Sequence, residues 1–397
     1  MPLRLTNHSL SRRRWLCQSA ALGAGLLLAG NIGLAAEPTA VVHSLKTISH
    51  QPELYYGWPT LTRRKNGELL VVWSGSREGH VCPFGRVEMM SSQDDGQTWT
   101  WDRVLLDLPI DDRDAGVLET AQGTILVTTF SSLAYDDYYL KKMSGDKPAV
   151  KPYPEEKMRR WLSAHNRINE EQRQGLLGTW MLRSTDGGLT FSAPYRVPLN
   201  SPHGPIQLAD GRLLYPGKEL WTESKRIGVA ESRDDGATWN WLAEIPTRSG
   251  DSVARGYHEL HGVEAADGTI IVHIRNHNTN HTGETLQTES KDGGKTWSEP
   301  HPIGVWGLPS FLNRLQDGRL LMTYGYRRKP FGNQARVSAD NGQTWSEALT
   351  ISDDGASGDL GYPSTVQLAD GSLLTVWYEL TKDSPRAVLR QAHWELK

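Results

Sequence analysis

The stretch Ser92-Gln93-Asp94-Asp95-Gly96-Gln97-Thr98-Trp99 decides how this chain folds, because it returns four more times, at 184–191, 232–239, 290–297 and 338–345. Every copy reads S-x-D-x-G-x-T and then Trp or Phe, a recurrence too regular for chance. The Asp carboxylate can accept backbone N–H groups of its own loop, the Gly supplies a positive φ, and the aromatic plugs the side of the unit, so each copy reads as a hairpin turn. Five such turns in one chain predict stacked or radially arranged β units.

A second mark precedes each unit: Asn66-Gly67, Gln122-Gly123, Asp210-Gly211, Asp267-Gly268, Asp317-Gly318 and Asp370-Gly371, each followed by an apolar strand. The steps between these glycines are 56, 88, 57, 50 and 53 residues, room for about four strands apiece. Six marks predict an all-β, six-bladed β-propeller; an open β-solenoid is the runner-up, but its turns would be shorter than these periods. The last unit, 359–396, has no box of its own, and 40–48 is a strand-like segment free to complete it. The 88-residue step predicts a small, partly helical insertion in blade two at about 132–178. Within it, 154–174 reads as a helix with Met158, Trp161, Leu162 and Ile168 on one apolar stripe, packed on the ring or serving as a lid or dimer contact.

Composition agrees with a β-rich protein. Among 397 residues there are 39 Gly, 15 Trp and 13 Tyr against 5 Phe, and a mean hydropathy of -0.51 excludes a polytopic membrane protein. Residues 1–36 carry four arginines and no acid, with Ser11-Arg12-Arg13-Arg14-Trp15-Leu16 ahead of a mildly apolar run and small residues before Glu37. That order resembles a twin-arginine export signal, so 1–36 is expected to be a signal peptide and 37–397 the exported propeller, periplasmic or extracellular, with no stable membrane insertion. Without those four arginines, 39 basic residues face 46 acidic ones, a balance that argues against nucleic acid as a partner. Cys82 is then the lone thiol, so no internal disulfide is expected.

Strand ends near the central channel bring together Trp58, Arg77, Glu78 and His80 from blade one, Asp112, Arg113 and Asp114 from blade two, and His203 from blade three. Blade four adds His258, Glu259, His261 and Arg275, blade five Arg327 and Arg328, and blade six Tyr362 and Glu379. This set is polar and rich in Arg. His258 and His261 lie three apart on a strand and so face opposite sides unless a bulge intervenes; no metal and no cofactor are expected.

The repeats resemble the Asp boxes of the sialidase superfamily. Bacterial members of that family place a Glu eight residues before the Asp of the fourth blade's turn and an Arg seven after its Gly; Glu259 and Arg275 stand at those offsets from Asp267-Gly268. In the last blade the family sets a Tyr eight before the turn Asp and ends the next strand in Y-E, as Tyr362 and Tyr378-Glu379 do. The resemblance implies that Tyr362 is a nucleophile, Glu259 its base and Arg275 a carboxylate clamp. It also implies a retaining exo-glycosidase acting on a terminal acidic sugar, sialic acid or similar, of a glycan.

Two departures stand out. The family opens blade one with R-I-P, whereas this chain has Gly57-Trp58-Pro59, so Arg77, Arg113, Arg327 or Arg328 would have to replace that arginine. The family's acid Asp in the blade-one loop is also absent, leaving Glu78, His80 or Asp114 to protonate the leaving group, with Trp58, His203 and His261 as further pocket residues. A polysaccharide lyase acting on uronic acids and a non-catalytic glycan-binding propeller are the alternatives.

Overall fold

The computed structural model describes residues 37–136, 140 and 154–397; the expected export signal at 1–36 and the rest of the blade-two insertion lie outside the described residues. The chain forms six four-stranded antiparallel sheets, a six-bladed β-propeller. Blade one runs from Tyr55 to Leu106, blade two from Asp111 to Arg196, blade three from Ile206 to Glu244, blade four from Tyr257 to Trp306 and blade five from Ser310 to Ser352. Blade six takes Leu360–Gln367, Leu373–Leu380 and Ala387–Leu396 from the end of the sequence and its outer strand, Ala40–Thr47, from the start. That outer strand runs antiparallel from Ala40↔Leu396 to Thr47↔Arg390, so the expected ring closure is present.

Second strands such as Leu69–Arg77 and Leu373–Leu380 are buried along nearly their whole length because a neighbouring blade covers each face. Leu70 and Val72 of blade one pack with Val117, Ile125 and Val127 of blade two, and Leu214 and Val229 of blade three with Ile270 and Val272 of blade four. Each such side chain contributes about 1.5–3 kcal/mol on burial, so the blade-to-blade seams are where the ring gains its stability.

The repeated boxes behave as their chemistry requires. Asp94 accepts from Thr98 N (2.9 Å) and Thr98 Oγ1 (2.7 Å), Ser92 Oγ binds both Asp94 and Gly96 N, and Gly96 has φ 81°. Trp99 reaches back to Gln391 of blade six (2.8 Å) and Trp345 to Gln287 of blade four (3.0 Å). The inner strands are clasped in the same direction: Glu119, Gln207, Glu264 and Gln367 each accept a backbone N–H from the preceding blade, at Lys65, Ala121, Ala209 and Gln316.

Within 154–177 the described residues form the helices Glu155–His165 and Glu170–Leu176, where a single helix was expected over 154–174. Asn169 breaks the run by capping the second helix, its Oδ1 accepting from Gln172 N while Gln172 Oε1 accepts from Asn169 N. Trp161 and Met158 pack against Cys82, Tyr135 and Leu140, whereas Leu162 is 43% exposed and does not belong to the apolar stripe.

One backbone device recurs around the channel. Trp58, Asp114, Glu259 and Tyr362 all have positive φ (53°, 46°, 43° and 54°), and each lies nine residues ahead of its turn glycine, Gly67, Gly123, Gly268 or Gly371. Strand pairing slips there, between Gly57 and Thr60, Arg113 and Gly116, His258 and Leu260, and Gly361 and Ser364. A left-handed non-Gly residue costs about 1–2 kcal/mol, and here the bulges bring four side chains to the same end of the channel.

Candidate functional site

Tyr362, Glu259 and Arg275 form one contact group. The Tyr362 hydroxyl donates to Glu259 Oε1 at 2.5 Å; Arg275 Nη1 donates to Glu259 Oε2 at 2.5 Å and to the Tyr362 oxygen at 3.1 Å. Burial raises the Tyr362 pKa well above the phenolic range, and the Glu259 charge raises it further. Burial would lift Glu259 as well, but Arg275 and the Tyr362 hydroxyl more than offset that and hold its carboxyl at about 2. Tyr362 at rest is therefore a neutral phenol aimed at a carboxylate. Tyr378, at the end of the next strand, lies with its ring 5.8 Å from Tyr362, while Glu379 turns the other way to Arg390 and Trp377.

Asp114 enters this group from blade two. Its carboxyl is buried, Oδ1 has no hydrogen-bond partner, and desolvation together with the Glu259 charge pushes its pKa up to about 7 despite Arg113. Its spacing to Gln122-Gly123 is the same as that of Glu259 to Asp267-Gly268, a sequence signal that sets it apart from Glu78 and His80.

The arginines divide by what they touch. Arg327 stands 5.9 Å from the Tyr362 ring, spends only its Nε on Leu360 O (2.9 Å), and has no protein partner for its terminal nitrogens among the described residues. Arg113 lies 4.3 Å over the Trp58 ring, and Trp58, 1% exposed, meets Tyr362 edge-on at 6.4 Å. Gly57 stands where the resemblance calls for an arginine, and the next residue, Trp58, carries Arg113 on its face.

Four expectations need correction. Arg77 is 0% exposed and locked to Asp111 at 2.6 and 3.0 Å behind Trp58, so it is a structural residue. Arg328 stacks 3.7 Å over Trp306 on the outer strand of blade four, away from Tyr362. Glu78 accepts from Arg160 and Trp161 (both 3.0 Å) and anchors the insertion. His261 accepts from Leu312 N at 2.9 Å and stacks on Phe311 at 4.5 Å, a packed ring in the channel floor.

His203 lies between these groups, its ring 6.2 Å from Tyr362 and 5.4 Å from His261, with Nδ1 3.2 Å from Thr60 Oγ1 and Nε2 unpartnered. Burial brings its pKa down to about 3, so it is neutral. His80 belongs to a second cluster: its Nδ1 is 3.1 Å from Asp359 Oδ1, and Asp359 also accepts from Tyr55 (3.0 Å) and Tyr378 (3.1 Å). Nothing in local sequence pairs His80 with Asp359. A bulge does intervene between His258 and Leu260, yet His258 Nε2 binds Arg255 O and His261 has separate partners. Among the described residues no group of three or more His, Cys, Asp or Glu is disposed to hold a metal ion.

Sequence reading also missed His277, whose Nε2 accepts from Arg275 Nε at 2.9 Å. Lys218, the counterpart of Arg275 and Tyr378 in blade three, is buried and donates to Val253 O, Ala254 O and Tyr257 O, with its pKa lowered by burial to about 8.

The family described as a BNR repeat-like domain matches residues 148–375, more than half of the chain. A curated protein named Sialidase from Bacteroides fragilis is 24% identical over 356 residues, covering 81% of this chain and 59% of the relative. The chain therefore spans about three-fifths of that relative's length. A solved structure of a protein of unknown function from Dyadobacter fermentans matches with TM-score 0.71 at 22% identity, over 90% of this chain and 99% of that one. The Hadza microbial sialidase Hz136 matches with TM-score 0.59 at 19% identity (85% and 65% covered). The NanB sialidase of Streptococcus pneumoniae matches with TM-score 0.59 at 14% identity (89% and 70% covered).

Proposed function

We propose, from the premise that this chain belongs to the BNR repeat-like family of sialidase-like propellers, that it is an exported retaining exo-glycosidase removing a terminal acidic sugar from glycans. The observation that carries this reading is the Tyr362–Glu259–Arg275 contact group with Asp114 beside it.

A sugar with a carboxylate on its anomeric carbon repels an ionised Asp or Glu nucleophile, and a neutral phenol avoids that repulsion; a Tyr nucleophile is how sialidases depart from the paired carboxylates of most glycosidases. In the first step the Tyr362 oxygen bonds the anomeric carbon and its proton passes to Glu259 Oε1. The bond to the leaving oxygen breaks, and that oxygen takes the proton of Asp114. In the second step Asp114 takes a proton from water, the hydroxide displaces the Tyr362 oxygen, and Glu259 returns the phenolic proton.

Arg275 couples binding to this chemistry. As it turns toward the substrate carboxylate, with Arg327 as second donor, Glu259 loses part of its counter-charge and becomes a stronger base. Export through the arginine-rich segment at 11–16 is part of the same proposal.

The test is release of fluorophore from a methylumbelliferyl sialoside by the purified protein beside Tyr362→Phe and Glu259→Gln. Loss of at least about 100-fold in both supports the reading; turnover undiminished in Tyr362→Phe overturns it.

A further inference from the structure

The inner strands that carry Trp58, Asp114, Glu259 and Tyr362 at one end of the channel run on for five more residues to a second position shared by all six blades, four before each turn glycine. Five residues of strand span about 17 Å, so this position rings the opposite mouth. Its occupants are Arg63, Glu119, Gln207, Glu264, Arg314 and Gln367. The four with acceptor oxygens each clasp a backbone N–H of the preceding blade. A guanidinium has no acceptor atom, so blades one and five forgo that clasp and bring a cation to the mouth instead.

A hollow of about 390 Å³ opens there, within the roughly 300–1,000 Å³ of small-ligand sites. Arg63 and Arg314 both line it, and no Asp or Glu does. Among the described residues Arg63 makes no ion pair and its Nε is buried without a hydrogen-bond partner, while Arg314 spends one Nη on Ala265 O at 3.2 Å. The carboxylates of the same register do not cancel these charges. Glu119 is taken by Arg64 Nε (2.9 Å) and Lys65 N (2.7 Å), Glu264 accepts from Ala209 N (2.6 Å), and neither pairs with Arg63 or Arg314. The mouth therefore favours an anion.

Deeper in, the charge disappears. Phe311 stacks on the His261 ring at 4.5 Å and meets His203 edge-on at 5.1 Å. Burial lowers the pKa of both histidines, that of His203 to about 3, so both rings are neutral. Leu118, Ile206 and Val366 add apolar wall and are only half-buried. A ligand charged at one end matches this gradient: a bare ion would leave the apolar wall wet, and an uncharged hydrocarbon would leave the guanidiniums unpaired.

We propose that this mouth, at the end of the channel away from Tyr362, is a binding site for a small carboxylate with a hydrocarbon body, its head at the two arginines and its body against Phe311, Ile206 and Val366. The site goes beyond the glycosidase reading and stands whether or not the protein cleaves a glycoside.

Octanoate serves as probe and octanol, of the same length without the charge, as its control, each titrated calorimetrically into the full chain at two temperatures. Octanoate is expected to bind at least about tenfold more tightly than octanol, the worth of a hydrogen bond to a charged group. An Arg63→Gln/Arg314→Gln double variant, its fold checked by circular dichroism, is expected to lose at least that factor. Arg327→Ala, at the other end of the channel, is expected to bind octanoate as the unmodified protein does. No octanoate binding at either temperature overturns the site, as does affinity undiminished in the double variant. Equal affinity for octanol, which needs no variant to measure, overturns the role of the arginines. Loss of octanoate binding in Arg327→Ala also overturns the proposal, since it would give the carboxylate to the Tyr362 end.

Discussion

Asp114 and Glu259 occupy one and the same register in two blades, nine residues ahead of Gly123 and Gly268 with φ 46° and 43°, yet their carboxyls titrate far apart. Asp114 is buried with Oδ1 unpartnered and is pushed up to about 7; Glu259 is in contact with Arg275 and is held at about 2. One structural position, repeated, thus furnishes one carboxyl that keeps its proton up to about pH 7 and one that is ionised.

Asp114→Asn is expected to leave an activated aryl glycoside partly cleavable, while natural glycans lose about 10²–10⁴-fold in kcat, the range for a general acid. The alkaline limb of the pH–rate profile, set near 7 by this carboxyl, should vanish in the variant. Equal losses on both substrates would remove Asp114 from the leaving-group step.

The same substitution has a signed effect on stability. The folded pKa of Asp114 is raised above the ordinary 3.8, so the native state holds the extra proton and loses stability as pH rises from about 4 to 7. The slope is at most about 1.4 kcal/mol per pH unit. Asp114→Asn is expected to melt higher than the unmodified protein at pH 8 and no higher at pH 4, measured by calorimetry.

Arg327→Ala is expected to raise KM for an acidic glycoside by about 10–100-fold, since charge-assisted bonds to a carboxylate are worth about 1.5–3 kcal/mol. Arg328→Ala, whose guanidinium lies over Trp306, should change it less than twofold. Reversal of the two results would show that the wrong neighbour faces Tyr362.

Removing the Arg77 guanidinium in Arg77→Met leaves Asp111 buried without its partner and should cost about 3–5 kcal/mol in urea unfolding. Arg77→Met combined with Asp111→Leu should recover much of that loss. No recovery would mean that Arg77 acts mainly through Trp58 and the His80 carbonyl.

Glu78→Ala is expected to loosen the helix Glu155–His165, exposing Arg159 and Arg160 to trypsin at rates well above those of the unmodified protein. Unchanged cleavage would show that the Trp161–Cys82 packing suffices.

Much of the architecture is legible in the sequence because its determinants are local. A box or an Asp-Gly turn carries its own hydrogen bonds, and repetition at near-equal steps signals a ring. Glu259 and Tyr362 stand at a fixed distance from such a turn, and the same measure identifies Asp114 and Trp58. The arginines escape that measure because their roles depend on partners far away in sequence. Arg77 and Arg113 are both near the channel, but Asp111 claims the first and the Trp58 face supports the second. Arg327 and Arg328 are adjacent, and the alternation of a chain leaving its strand sends them to opposite sides. His80 meets Asp359 across 279 residues, a pairing only ring closure creates.

That closure has a consequence for how the molecule is made. The outer strand of blade six precedes every other strand of the ring in the sequence and its partner Ala387–Leu396 follows them all, so the ring can shut only after all six blades have been synthesised. Until then the early strand waits as an unpaired edge, exposed to whatever else could zip onto it. The two edges of the ring's sequence also lie side by side, Thr39 N on Lys397 O at 2.7 Å and Lys397 N on Thr39 O at 2.9 Å. Joining them with a short linker and reopening the circle at an exposed turn such as Asp210-Gly211 would spare every ladder and move the late-closing seam from blade six to blade three, between Ile206–Gln207 and Leu213–Lys218.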